Sequence, residues 1–396
     1  MQTRAIKTAS QRADRFQESV IREMSRLAAQ YKAVNLAQGL PDFACPPELK
    51  AAASKATHDD INQYAITWGD KLLRDAISAK AARFNGMTVD PDTEITVCCG
   101  ATEAMVATMM ALVDVGDEAI VFEPFYENYG PDAILSGATP RYVRLHAPDW
   151  TFDEAELEAA FNDKTRCIII NTPHNPTGKV FTRAELETIA RLCRKHNVIC
   201  ITDEIYEHIV FDDGQARKHV SMASLEGMAD LTITINSLSK TYSITGWRVG
   251  WAIARPEFTL SIRKVHDFLT VGAPAPLQRA GVAAIEMGQK YYDELAAEYT
   301  DRRRKMMNIL DEVGIDYYKP QGAYYLFCDI SRLGHESDLA FTKYMVKEVG
   351  VAVVPGASFF SPDNTHRHDY VRFCFSRRDT TLDAAHAKMR AAKIKL

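Results

Sequence analysis

A lysine without charged neighbours lies in a turn crowded with hydroxyl groups. The stretch INSLSKTYSITGWRVGWAIA begins at Ile235 and sets Lys240 among Ser237, Ser239, Thr241 and Tyr242. A lysine partly withdrawn from water holds its proton less tightly and can attack a carbonyl as a free amine. Arg248 follows in the same stretch, just before a second apolar run. A guanidinium beside small hydroxyls makes a seat for phosphate. In CIIINTPHNPTGKVF, from Cys167, an apolar run opens into a loop that Pro173, Pro176 and Gly178 stiffen around Asn175. In VICITDEIYEHIVF, from Val198, Asp203 ends an apolar run and Tyr206 stands three residues on. An acid there is costly unless it meets a cation. In VCCGATEAM, from Val97, Gly100 separates a strand-like run from a helical one. The backbone N–H groups of Ala101 and Thr102 would then form an anion site at a helix N-terminus. Taken singly, each segment has an ordinary reading: a loop lysine, a strand-edge arginine, a structural turn, or an N-cap aspartate.

The elements that must carry these loops follow an α/β pattern, short apolar runs alternating with helical ones, which predicts a largely parallel sheet. Strands are expected at Ile95–Cys98, Ala119–Phe122, Arg141–Leu145, Cys167–Asn171, Val198–Thr202, Thr232–Asn236 and Val249–Ala254. Helices are expected at Thr102–Val113 and Arg183–His196; in the second, Leu186, Ile189, Ala190 and Cys193 share a face. Ligands of such sheets gather at the carboxyl ends of strands, where the chemical loops lie. Past Ala275 the pattern changes to helices at Pro276–Gly288 and Tyr291–Val313, shorter strands at Tyr324–Asp329, Val351–Val354 and Tyr370–Phe375, and a last helix at Leu382–Ala392. The expected organisation is an N-terminal segment (1–45) packed on a small domain, a large α/β domain (46–288) and a small C-terminal α+β domain (289–396).

With 396 residues, 46% of them hydrophobic and 25% charged, the chain has the composition of a globular protein with a substantial core. A net charge of -5 gives no reason to expect nucleic acid or an anionic membrane surface as partner. The eight cysteines have no CxxC or zinc-type spacing, so no metal site is expected, and they read as reduced core residues of a cytoplasmic protein. The polar start and the lack of a long apolar run predict neither a signal peptide nor a spanning helix. No GxGxxG or GxxxxGK[ST] motif follows a strand, which argues against a nucleotide site.

Together and in this order, NPTG at Asn175, TDEIY at Asp203 and SLSKTYSITGWRVG around Lys240 resemble the fold type I pyridoxal-phosphate enzymes, specifically the class I/II aminotransferases. The resemblance runs from VNLAQGLPDF to YVRFCFS. It implies a homodimer that uses pyridoxal 5'-phosphate to move an α-amino group from an amino acid to a 2-oxo acid. By it, Lys240 holds the cofactor as a Schiff base and serves as general base, and Asp203 pairs with the ring nitrogen. Asn175 and Tyr206 meet the ring oxygen; Ser237, Arg248 and the turn Gly100–Thr102 bind the phosphate; Tyr126 lies over the ring face. Arg372 grips the substrate α-carboxylate, Gly39 lies close to the substrate, and Tyr64 reaches the phosphate of the neighbouring subunit.

QGLPDF, EPFYENY and TGWRVG look closest to the branch of kynurenine, glutamine/methionine and aromatic aminotransferases, so a neutral or aromatic amino acid is the expected donor, with aspartate the alternative. Two departures turn the reading away from kynurenine itself: Ile21 stands where a tryptophan is common and Thr102 where a tyrosine is. The segment VGAPAPLQRAG, from Val271, is expected to line the pocket. The rival reactions are a β-lyase acting on cysteine conjugates or another carbanion route on the same fold. A non-enzymatic sensor is a further rival, disfavoured because no basic helix-turn-helix segment precedes the fold.

Overall fold

The computed structural model describes residues 10, 13–16, 18–214 and 217–392. The chain first forms a short strand, β1 (Val34–Asn35), and then seven that make the central sheet. These are β2 (Ile95–Cys98), β3 (Glu118–Glu123), β4 (Thr139–Arg144), β5 (Thr165–Asn171), β6 (Ile199–Asp203), β7 (Thr232–Ser237) and β8 (Gly250–Ile253). Their order is β2-β8-β7-β6-β5-β3-β4. The pairs from β7 to β4 are parallel, while β8 runs antiparallel to both β2 and β7. Strands such as β6 and β7 are buried at every position, because helices cover both faces of the sheet. Edge strand β4 alternates exposed and more buried residues instead.

The helices have clear local causes. Arg183–His196 begins at Thr182, whose hydroxyl accepts from the Glu185 N–H while the Glu185 carboxylate accepts from the Thr182 N–H. It ends with Arg194, Lys195 and His196 in the last turn and Asn197 in the left-handed region. Ala101–Leu112 begins at Gly100, which has φ of 84° and no side-chain cap. Its first N–H groups therefore point outward from the carboxyl end of β2.

A second sheet has the order β12-β13-β10-β9, built from β9 (Asp316–Tyr318), β10 (Tyr325–Asp329), β12 (Val354–Pro355) and β13 (Tyr370–Cys374). The single strand expected at Val351–Val354 is in fact two. β11 (Val351–Ala352) pairs parallel with β1, whereas β12 pairs antiparallel with β13, so the chain changes sheets at Val353. Helix Val20–Gln30 buries Ile21, Met24 and Ala28 in a cluster that also holds Trp150, Val354 and Phe359, where the two sheets meet.

Candidate active site

The carboxyl ends of β5, β6 and β7 open on a cavity of about 310 Å³. The start of helix Ala101–Leu112, the segments around Ser19–Arg22 and Gln38–Leu40, and β10 and β13 complete its wall. Of the residues singled out by sequence, Gly39, Ala101, Thr102, Tyr126, Asn175, Asp203, Tyr206, Ser237, Lys240, Arg248 and Arg372 all line it. Gly100 stands behind Arg248: a Cβ there would lie 2.3 Å from the arginine Nη2, and its positive φ disfavours any side chain. Tyr64 is not at this cavity and is 86% exposed. The segment from Val271 does not line the cavity either, contrary to expectation. Gln278 instead accepts from the Asp70 N–H and donates to the Ala273 carbonyl, and the helix Ala275–Ile285 turns Ala280 and Ala284 into the interior.

Lys240 Nζ donates to the Gly39 carbonyl at 2.9 Å and stands 5.8 Å from the Tyr206 ring centroid. Loss of water at the cavity wall lowers its pKa to about 8, and the cations Arg372 and Arg248 push the same way against Cys374 and Asp203. Asp203 is buried. Its Oδ2 accepts from the Tyr129 hydroxyl at 2.7 Å, and Oδ1 accepts from the Ile205 N–H at 3.4 Å. Burial nonetheless raises its pKa to about 6, the hydrogen bonds and Lys240 opposing. An amine ready to lose its proton and an acid reluctant to lose its own thus face one space.

Arg372 is fully buried on β13, stacked between Tyr325 and Phe359 with its guanidinium carbon 4.2 and 4.9 Å from their ring centroids. Nη1 donates to Asn175 Oδ1 and Nη2 to the Ala37 carbonyl, each at 2.7 Å, while Nε has no partner among the described residues. A clamp so fixed is preorganised for a carboxylate. At the opposite end, Arg248 donates to the carbonyls of Thr245 and Cys99 beside the uncapped helix N-terminus and Ser237. That combination fits a phosphate.

Several site residues escape the sequence reading. Tyr129 holds Asp203, and only its spacing three residues after Tyr126 hints at a shared direction. Asn171 donates to the Asp203 carbonyl at 2.9 Å and accepts from the Asn175 N–H at 2.7 Å, which sets the NPTG loop against β6. Tyr325 shares a hydrogen bond with Tyr206 through their hydroxyls at 2.9 Å, and a Cβ on Gly39 would lie 2.0 Å from the Tyr325 hydroxyl. Nothing in the sequence signals that pairing. Among the described residues, two triads bring potential metal-ligating atoms within 4.8 Å, Cys98–Glu103–His266 and Glu204–Glu207–His219. In the first, His266 bonds Glu103; in the second, the Lys80 ammonium sits on Glu207.

The family model for aminotransferase class I and II matches residues 31–388. The kynurenine–oxoglutarate transaminase 3 of Mus musculus is 37% identical over 410 residues, covering 96% of this chain and 90% of that protein. The solved N-succinyldiaminopimelate aminotransferase of Mycobacterium tuberculosis superposes with a TM-score of 0.94 at 36% identity, over 97% of this chain and all of the other. A protein of Escherichia coli whose structure identified a methionine aminotransferase function gives a TM-score of 0.91 at 33% identity, over 98% of this chain. The chain belongs to the class I and II aminotransferases and has the fold type I architecture. It is a transaminase, of a family that depends in general on pyridoxal phosphate.

Proposed function

We propose that the protein is a homodimeric pyridoxal-phosphate aminotransferase in which Lys240 holds the cofactor, and that it moves the α-amino group of a neutral or aromatic L-amino acid to 2-oxoglutarate or another 2-oxo acid. The observation that carries this is the convergence of Lys240, Asp203, Asn175 and Arg372 on one cavity, with Arg248 and an uncapped helix N-terminus at its end. The residues present fit the cofactor. Arg248, Ser237, Ala101 and Thr102 would hold the phosphate, Asp203 the ring nitrogen, Asn175 and Tyr206 the ring oxygen, and Tyr126 one ring face. When bound, pyridoxal phosphate supplies an electron-poor ring that takes up negative charge from the substrate's α-carbon.

The remaining work falls to side chains of this chain. Arg372 clamps the α-carboxylate and so fixes which α-bond stands across the ring. Lys240, whose amine gives up its proton more readily than that of a solvated lysine, takes the α-proton at Nζ and gives it back from the same atom. Asp203 would keep a proton on the ring nitrogen of the bound cofactor. Ile21, Leu40, Tyr126 and Tyr325 give the cavity an apolar and aromatic side, which supports a neutral or aromatic donor.

The partner subunit's contribution is inferred from Tyr64, which lies exposed with Ile66, Leu72 and Phe268. We further assign residues 1–45, 46–288 and 289–396 to the N-terminal segment, large domain and small domain. We place the protein in the cytoplasm, a reading supported by eight free cysteines. Among the described residues no helix is long and apolar enough to cross a membrane. The test is reduction of the yellow protein with borohydride followed by peptide mapping. The adduct is expected on Lys240; an adduct on another lysine refutes the assignment.

A further inference from the structure

The turn at the start of helix Ala101–Leu112 has a support behind it. Glu103 stands in the first turn of that helix, one residue past Thr102. Its Oε2 reaches back and accepts from the Cys99 N–H at 3.0 Å, while Arg248 Nη2 donates to the Cys99 carbonyl at 3.3 Å. The backbone of Cys99, which leads into Gly100–Thr102, is thus gripped at both of its polar groups. A carboxylate suits a helix N-terminus, but in that place its charge also repels a bound phosphate.

His266 removes that conflict. Its ring is fully buried on helix Pro256–Thr270, which packs along helix Ala101–Leu112. Nδ1 lies 3.0 and 3.1 Å from the two carboxylate oxygens of Glu103, and Nε2 lies 2.9 Å from the Thr67 carbonyl. A carbonyl only accepts, so Nε2 carries a hydrogen, and the contact between Nδ1 and the carboxyl group needs a second proton. That proton leaves the pair of side chains neutral as a whole. Thr67 is itself a fixed post. The carbonyl of the next residue, Trp68, accepts from the Val97 N–H of β2 at 3.1 Å, and the Thr67 hydroxyl donates to Asp267 Oδ1 at 3.3 Å. A line of hydrogen bonds therefore runs from the central sheet through Thr67, His266 and Glu103 to the Cys99 N–H.

The other charged and titratable groups on the elements around the ring are engaged, exposed or neutral. On its own helix, Arg263 donates to the Asp92 and Ile95 carbonyls, Arg255 pairs with Glu257 and Lys264 is exposed. Burial holds the thiols of Cys98 and Cys99, at the end of β2, above their ordinary pKa. In the segment that carries Thr67, Tyr64 is exposed and Asp70 pairs with Arg279. Burial alone would lower the pKa of the ring, but the bonds to Glu103 and Thr67 and the charge of Asp267 raise it above the ordinary histidine value. We propose that His266 is a positioning residue for the cofactor's phosphate: it holds and neutralises Glu103, so that this carboxylate fixes the Cys99 N–H, and with it the turn Gly100–Thr102, without repelling the phosphate. The proposal rests on the assignment of that turn and Arg248 to the phosphate.

The test compares two ligands of the cofactor-free protein, pyridoxal phosphate and pyridoxal, which lacks the phosphate, by the ratio of their dissociation constants read from absorbance titrations. His266→Leu strands a charged carboxylate behind the turn. It is expected to weaken pyridoxal phosphate about tenfold and to leave pyridoxal within about twofold. Adding Glu103→Gln removes the charge while the amide oxygen still accepts from the Cys99 N–H, so the double variant is expected to regain most of the loss. A His266→Leu protein with native circular dichroism that weakens both ligands equally, or neither, overturns the proposal, as does a double variant no better than the single one. Should His266→Leu not fold, Glu103 decides: Glu103→Gln, whose amide can also donate to a neutral His266 Nδ1, is expected to keep the ratio and Glu103→Ala to lose about tenfold, and equal losses overturn the proposal. Arg248→Ala tests the underlying assignment, because it too should weaken pyridoxal phosphate and spare pyridoxal. A phosphate-specific loss in Arg248→Ala but not in His266→Leu refutes the role of His266 alone, whereas no such loss in Arg248→Ala refutes the phosphate assignment and this inference with it.

Discussion

Replacing Asp203 with asparagine is expected to stabilise the cofactor-free protein while damaging the loaded one. Burial lifts this carboxyl from an ordinary value of 3.8 to about 6, although Tyr129 and Ile205 donate to it. At roughly 1.4 kcal/mol for each pH unit, the charged form costs the empty fold about 3 kcal/mol. The folded carboxyl binds its proton more tightly than the unfolded chain does, so its contribution favours the fold below about pH 4 and is lost as the pH rises through about 6. Asparagine does not titrate, and its Oδ1 can still accept from Tyr129. The variant should therefore gain little near pH 4 and about 3 kcal/mol at pH 8, equivalent to a few degrees in Tm. Thermal unfolding of cofactor-free wild type and Asp203→Asn, followed by circular dichroism across that range, reads the difference. A gain of equal size at every pH, or a loss at pH 8, would refute the argument that the cavity strains the fold through this one charge. In loaded protein the balance should reverse if, as proposed, the carboxylate then meets the protonated ring nitrogen.

Three further outcomes follow from the same geometry. Arg372→Lys removes the forked clamp, and kcat/KM for amino acids should fall about a hundredfold while the cofactor's dissociation constant stays unchanged; equilibrium dialysis and steady-state rates separate the two. The pKa of Lys240 is lowered to about 8, chiefly by loss of water, so the rate at which cofactor-free protein captures pyridoxal phosphate should climb with pH and level off above about 8, as followed by stopped-flow absorbance. A climb continuing to pH 10 would mean an ordinary lysine. If Tyr64 serves the partner's site, dimers pairing Tyr64→Ala with Lys240→Ala contain one intact site and should recover about half of wild-type activity; recovery no greater than the parents would count against sharing.

Lys240, Arg248, Asp203 and Asn175 are legible in the sequence because each contradicts its surroundings: a charge or amide at the end of an apolar run needs a partner, and strand ends place such partners together. Arg372 is legible for the same reason, being an arginine between Val371 and Phe373 in a strand that is buried from Val371 onward. Tyr129 is hidden, since an aromatic at the start of a short helix looks like a core residue. Its meaning depends on Asp203, which lies far along the chain. The split of Val351–Val354 is equally hidden, because each pair of residues is apolar and extended in either sheet. The segment from Val271 misleads because its small apolar residues suit a pocket wall as well as a helix packed on Leu238.

The contact that unites the two sheets also unites the two halves of the chemistry. Arg372 belongs to the four-stranded sheet, yet its guanidinium is anchored on Ala37 and on Asn175, at the carboxyl end of the central sheet. Asn175 accepts from Arg372 at its Oδ1, so in the proposed complex its amide N–H groups are the half that would remain for the ring oxygen. Asn171 fixes the backbone of Asn175 and bonds the Asp203 carbonyl, so the acid, the amide and the carboxylate clamp share one chain of hydrogen bonds. Alanine at 175 should therefore disturb two readouts together, the absorbance of bound cofactor and KM for the amino acid. Alanine at 248, outside that chain, should change the cofactor's dissociation constant and leave KM in place.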